Sequence, residues 1–354
     1  MGMKKIGAAG ALLLLLAGAG GYAQEDLPLV NTQNISLEGV ENLSVSYGSG
    51  DVIIRKSDSE ELVIREYLER DRPRYYVDVA GSGDTVQIRR GRRPLLPWLR
   101  QARAEIYLPP SFRGNLRIVN SSGKFRAETD ILDCKTIDIS VSSGSVLLRR
   151  ISAGIVSIRV SSGDLDIGGV GGGSFVSVSS GKLRIGELSG PEHRLKTSSG
   201  RTRIGLLQGS SNIETSSGSI TIERALGRME ARASSGSITV EDFSGEGSFE
   251  MSSGRINLDI RELAGDLRFN LSSGAAKLNL PGELSFHLDA VTRSGKVLVN
   301  EGGAEVLQIP GDSTVLRSFG LPPESAADPA KQGSPPARTI HTRLNSGTVI
   351  INRR

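Results

Sequence analysis

Apolar side chains recur at every second position along this chain, in runs of two or three that stop at a serine-glycine corner and resume beyond it. Ile213 and Thr215 precede one corner, and Ile220 and Ile222 follow it. Phe249 and Met251, or Leu267, Phe269 and Leu271, precede others, and Ile238 and Val240, or Ile256 and Leu258, follow corners of the same kind. A period of two, with Ser, Thr, Arg, Glu and Lys between the apolar positions, predicts half-buried β-strands. A second turn closes each unit, with a Leu-x-Gly or Leu-Gly flavour at Leu188-Ser189-Gly190, Leu226-Gly227 and Leu263-Ala264-Gly265. Each unit of ~18 residues therefore holds two short strands and two turns. No part of the chain beyond its N-terminal apolar run carries an amphipathic helix of three turns, and glycines at this density would cost one about 1 kcal/mol each.

The corners form a repeat. Ser-Ser-Gly ends at Gly123, Gly144, Gly163, Gly181, Gly200, Gly218, Gly236, Gly254 and Gly274; Arg-Ser-Gly ends at Gly295 and Asn-Ser-Gly at Gly347. From Gly123 to Gly295 the spacing stays between 18 and 21 residues, and two earlier Gly-Ser-Gly copies end at Gly50 and Gly83. Counting by twos from Ile213 and Thr215 places Ser217 inward, where a small hydroxyl would bond neighbouring backbone. The glycine after it is expected to turn the chain with φ > 0, where a Cβ is costly. No histidine or acid recurs beside these serines, so they do not read as a row of nucleophiles. Stacked two-strand rungs of ~18–21 residues predict an all-β β-solenoid or β-helix-like array. About ten rungs at ~4.8 Å give a rod on the order of 45–50 Å long.

Serial h-x-h-x-S-S-G-x-h-x-h units behind a signal-like segment resemble a bacterial family of adhesin-like β-strand-repeat proteins catalogued as a domain of unknown function. The likeness covers roughly residues 30–354 and is densest from Leu116 to Val299. The resemblance implies a right-handed β-solenoid in exported or envelope proteins, with adhesion as a label given by inference. It supplies no catalytic residues to carry over.

The N-terminus adds a destination. Lys4 and Lys5, the apolar run Ile6 to Leu16, and Gly21-Tyr22-Ala23 before Gln24 predict a secretory signal over residues 1–23. The protein is thus expected to be exported, to the periplasm, cell surface or medium. After the signal come a degenerate lead-in and cap over 24–115 and the regular solenoid over 116–300. An irregular Pro/Gly/Ser/Ala-rich loop over 301–338 and a terminal strand pair over 339–354 complete the division. Within the lead-in, residues 57–76 and 91–113 are the expected cover for the open sheet edge.

Composition narrows the chemistry. The formal charge of +4 includes Lys4 and Lys5, so the chain beyond the signal carries 41 − 39 = +2, which argues against nucleic acid as a partner. Cys134 is the only cysteine and reads as a small buried apolar residue in an exported chain. His193, His287 and His341 lie too far apart for a metal signature. Neither a metal, a cofactor nor a catalytic residue is predicted. The scattered acids Asp164, Asp166, Glu187, Glu214, Glu223, Glu241 and Asp242 read as surface carboxylates. The glycine-rich run from Gly168 to Gly173 lacks the Asp or Lys-Ser/Thr of a calcium or phosphate loop.

One segment stands outside the repeat. Arg89-Arg90-Gly91-Arg92-Arg93-Pro94-Leu95-Leu96-Pro97-Trp98-Leu99-Arg100 joins a basic cluster to the only tryptophan. It reads either as a hydrophobic cap on the solenoid end or as a contact surface, through Arg92, Arg93, Trp98 and Arg100, for an anionic membrane or acidic partner. The leading expectation is a non-enzymatic adhesive or structural module whose partner is an envelope protein or polysaccharide. The alternatives are a carbohydrate-active enzyme on the same scaffold and a periplasmic sensor or scaffold component that binds a membrane-associated partner.

Overall fold

The computed structural model describes residues 27–92, 102–320 and 338–354. The segment 1–23, expected to be a secretory signal, lies outside these residues, together with Arg93, Trp98 and Arg100. What is described is a β-solenoid. Between successive Ser-Ser-Gly corners the chain runs as one long strand: Ser145–Val160, Asp164–Val178, Lys182–Thr197, Arg201–Thr215, Ser219–Ala233, Ser237–Met251 and Arg255–Leu271. Each pairs in parallel with the next, in the register the repeat dictates. Ser219 faces Ser237, Ile220 faces Ile238, and Ala231 faces Phe249. Among the described residues no helix is long and apolar enough to cross a membrane.

The two corners of a rung differ from the expectation in an instructive way. At the second corner there is no separate turn, because the strand continues round the bend. Left-handed φ values occur there, at Gly172 (99°), Gly209 (124°) and Gly227 (116°). The Ser-Ser-Gly glycines from Gly123 onward have no such φ; what demands glycine at these positions is the approach of the neighbouring backbone. A Cβ on Gly218 would sit 2.6 Å from Gly200 O and 2.5 Å from Thr197 Cγ2, and one on Gly254 would sit 2.2 Å from Gly236 O. Nor does Ser217 face inward. Both Ser216 and Ser217 are exposed and Gly218 is buried, because the chain leaves the strand alternation after Thr215. Ser216 N and Ser217 N instead donate to Thr197 O and Ser198 O of the previous rung, at 3.0 and 2.7 Å. The inward polar role falls one turn earlier: Thr215 Oγ1 donates to Gly218 O (3.2 Å), and Asn120 Nδ2 donates to Gly123 O (2.9 Å).

The interior is filled by ladders of like side chains from the two walls. One wall carries Ile139, Ile158, Val176, Leu195, Ile213, Ala231, Phe249 and Phe269 in succession. Ile167, Ile185, Ile204, Ile222, Val240 and Leu258 line the other. All are buried, each contributing roughly 1.5–3 kcal/mol of apolar burial for a Val, Leu, Ile or Phe. Small Ala231 sits next to Phe249, which stacks on Phe269 with ring centroids 4.9 Å apart.

Both ends of the parallel stack are covered by antiparallel strands. At the N-terminal end, Thr85–Arg89 and Ala102–Leu108 lie in parallel under Asn42–Tyr47 and Asp51–Lys56. They are covered in turn by Asp78–Ser82 and Glu61–Leu68, and Leu29–Ser36 covers the latter. Residues 102–108 are thus part of a rung and not of the cover.

At the other end two expectations give way. The region expected to be an irregular loop contains two strands, Ala304–Ile309 and Ser313–Phe319, which run antiparallel to Lys296–Glu301 and Phe286–Thr292 and close the stack. The strand pair Arg338–Leu344 and Thr348–Arg353 is the last in sequence but not in space. It lies between the rung of Leu267–Leu271 with Ala275–Leu280 and the rung of Phe286–Thr292 with Lys296–Glu301, parallel to both. The glycines record the order: a Cβ on Gly295 would meet Gly347 O, and one on Gly347 would meet Gly274 O.

Candidate functional site: a corner groove

The exposed serines of successive corners stand one above another, since each second serine N–H is bonded to the first serine carbonyl of the rung before it. Ser180, Ser199, Ser217, Ser235, Ser253 and Ser273 therefore line a shallow groove of about 630 Å³ along the rod. Its floor is the stacked glycines. Among the described residues, no protein group hydrogen-bonds the hydroxyls of these six serines. The first position after each glycine forms one bank, which runs Lys182, Arg201, Ser219, Ser237, Arg255 and Ala275 along the rod. Arg201 and Arg255 have no carboxylate partner among the described residues; Lys182 is 4.0 Å from Asp164.

A second hollow of about 600 Å³ lies on the adjoining face and shares Lys182 and Arg201 with the groove. Lys124, Arg126, Arg184 and Arg203 line it, with Asp164 and Asp166 as the acids. Leu147 stands 55% exposed on this otherwise charged surface. The corner between the two hollows is consequently basic, although the chain as a whole is near neutral.

Of the acids weighed for catalysis, all but Glu241 face cations. Asp164 and Asp166 do share a face, but Lys182 and Arg184 of the next rung sit 4.0 and 3.7 Å away. Glu187 pairs with Arg150, Glu214 with Lys196 and Glu223 with Arg203; Asp242 pairs with both Arg224 and Arg261. These are cross-rung ladders of opposite charge, of the kind that sets register on a sheet face. No group of three or more His, Cys, Asp or Glu able to hold a metal ion occurs among the described residues.

One feature escaped the sequence reading. Ser174 Oγ lies 2.8 Å from His193 Nδ1, and His193 Nε2 lies 3.0 Å from Gln208 O. The carbonyl fixes the proton on Nε2, so Nδ1 accepts from the serine hydroxyl. Both side chains are buried inside the second corner, and burial pushes the His193 pKa below its ordinary 6.5, keeping the ring neutral. With no acid behind the histidine and no solvent in front of the serine, the pair is an internal peg between rungs. Its signal was present in the spacing: Ser174 and His193 each fall seven residues before a corner glycine, Gly181 and Gly200, which the register turns into direct neighbours.

The ten corner glycines singled out, from Gly123 to Gly295, are brought into one column by the stacking. Arg92 is exposed at the edge of the basic segment.

A family model described as Toastrack DUF4097 matches residues 40–235 and 225–308, more than half of the chain. No curated protein matches the sequence. Among solved structures, a provisionally named cell adhesion protein from Clostridium sporogenes ATCC 15579 covers 92% of this chain and 98% of its own, at 8% identity and a TM-score of 0.24. A provisionally named adhesin from Parabacteroides distasonis ATCC 8503 covers 91% and 96%, at 13% identity and a TM-score of 0.36. A provisionally named lipid-binding protein from the same organism covers 91% and 96%, at 12% identity and a TM-score of 0.34. Likenesses this distant assign neither activity nor ligand.

Proposed function

This chain belongs to the Toastrack DUF4097 family, and from that premise we propose that it is an exported, non-enzymatic interaction module of the bacterial envelope that binds an extended anionic polysaccharide along its serine groove. The observation that carries the reading is the pairing of unengaged serine hydroxyls with unpartnered cations in one continuous groove. A repeating polymer presents hydroxyls and charges at regular intervals, and the rungs offer donors at ~4.8 Å steps. Arg201 and Arg255, three rungs apart, stand ~14 Å from one another along the axis and would each meet an acidic group. Shallow, polar and without a base or a paired carboxylate, the groove is suited to holding a chain and offers nothing with which to cut it. The signal-like segment at residues 1–23 supports export.

The test compares the parent with Arg201→Gln/Arg255→Gln in calorimetric titrations against acidic and neutral polysaccharides at two salt concentrations. Acidic-polymer binding that weakens with salt and falls at least tenfold in the double variant is the expected result. Equal binding of neutral and acidic polymers, no effect of the substitutions, or cleavage of the polymer would each overturn the reading.

A further inference from the structure

The position of the last strand pair has a bearing on how copies of this chain meet. Rungs normally stack in sequence order, each laid on the one before. Here the chain leaves Leu280, passes through residues 281–285, and begins the next rung at Phe286 one full rung away, leaving a slot. Arg338–Leu344 and Thr348–Arg353 fill that slot afterwards, bonded in parallel on both sides.

The slot is specific for its occupant. Ile340, Thr342, Leu344, Val349 and Ile351 are buried between its walls. On one outer face, His341 sits between Asp289 (Nδ1 to Oδ2, 3.0 Å) and Asp266 (Nε2 to Oδ2, 3.7 Å), while Arg343 holds Asp289 at 2.8 Å. On the other, Asn352 Nδ2 donates to Asn279 Oδ1 (2.8 Å), and Asn352 Oδ1 accepts from Asn300 Nδ2 (2.9 Å). Arg353 reaches Glu301 and the carbonyls of Gly282 and Leu284. Each of these polar side chains joins a wall made earlier in the sequence to a strand made later.

We propose that this slot is a strand-acceptor site, and that a second copy of this chain can supply the Arg338–Arg353 strand pair to it, producing a dimer by exchange. Phe319 and Arg338 both flank Phe286, so they lie two strand spacings apart, ~10 Å. The nineteen residue steps that join them can reach ~60 Å, ample for the slot of a neighbour. The contacts are identical in the two arrangements, so the balance depends on chain concentration against the effective concentration of a strand pair joined to its own slot. A molecule held at high density on a surface meets that condition.

Two full-length variants, Asn270→Cys and Arg343→Cys, test this, because residues 270 and 343 are register partners across the slot wall. They are mixed, refolded together under reducing conditions at rising concentration, then oxidised. Cys134 stays out of the reaction, since burial pushes its thiol up to about 11. Exchange predicts a mixed disulfide dimer that grows with concentration, and a Glu214→Cys/Arg343→Cys mixture without one. A mixed dimer no more abundant than in that control at the highest concentration overturns the proposal.

Discussion

A methyl group placed on Gly218 would lie 2.6 Å from Gly200 O, 0.8 Å short of the 3.4 Å at which ordinary contact begins, and 2.5 Å from Thr197 Cγ2. Neither neighbour can easily yield. Gly200 O accepts the ladder bond from Ser219 N at 3.1 Å, and the Thr197 rotamer is fixed by a 3.0 Å bond between its Oγ1 and Thr202 Oγ1. Relief therefore requires two rungs spaced at ~4.8 Å to part locally by a sizeable fraction of an ångström. For Gly218→Ala we expect a loss of ~1–3 kcal/mol, the usual cost of forcing extra volume into a packed site. Gly48→Ala is the control: it belongs to a related corner, has no left-handed φ, and its Cβ would meet nothing within 4 Å. That substitution should be neutral or stabilise by ~0.4–1 kcal/mol through the unfolded chain. Urea midpoints followed by circular dichroism give the comparison. Amide exchange of the rungs around Gly200 and Gly236 locates the damage, which should stay near the altered corner because rungs couple to their neighbours. Equal midpoints for Gly218→Ala and Gly48→Ala would refute the argument that stacked backbone is what demands glycine.

Ser217→Ala should change stability by less than ~0.5 kcal/mol, since the hydroxyl is exposed and has no protein partner; a larger loss in the same urea assay would restore an inward role. Phe249→Ala should cost ~3–5 kcal/mol, because it opens a void beside Phe243 and Phe269 that Ala231 cannot fill. The Arg343 guanidinium, and next to it His341, hold the Asp289 carboxyl below its ordinary 3.8. Its contribution is accordingly present above that value and lost as pH falls through the lower folded one, so Asp289→Asn should flatten the acid limb of a stability–pH curve. Cys134, its thiol pushed up to about 11 by burial, should resist a thiol reagent at pH 8 until urea unfolds its rung; fast labelling of the folded protein would contradict that.

The architecture was written in the repeat. Spacing alone set which residues face one another, and Ser219 beside Ser237 is what an 18-residue unit requires. Parity failed at the corner because it assumes an unbroken strand: Thr215 obeys it, and Ser217 has already turned away. The φ prediction failed because a sequence read as one rung cannot show the backbone of the next rung pressing on Gly218. The left-handed turn falls instead at the other corner, on Gly209 and Gly227, for which no φ was predicted. The inserted strand pair was illegible for a related reason. A strand signal gives membership of the stack and not position in it, and the slot shows only in the parallel pairing of Arg338–Leu344 and Thr348–Arg353 on both sides. The groove was hidden by the expectation that Ser217 faces inward; that Arg201 and Arg255 lack carboxylate partners among the described residues depends on charges one rung away.

Because the rungs from Arg201 to Met251 meet through one unbroken register and stack their corner glycines in one column, this part of the protein works as a ruler with interchangeable divisions. Duplication or loss of one eighteen-residue division, such as residues 219–236, would lengthen or shorten the rod by ~4.8 Å while leaving both closing hairpin layers untouched. It would shift Arg255 against Arg201 by that same step. The interval between the charges, and with it the repeat length of the polymer that fits, can then be reset by whole increments without redesign of the core.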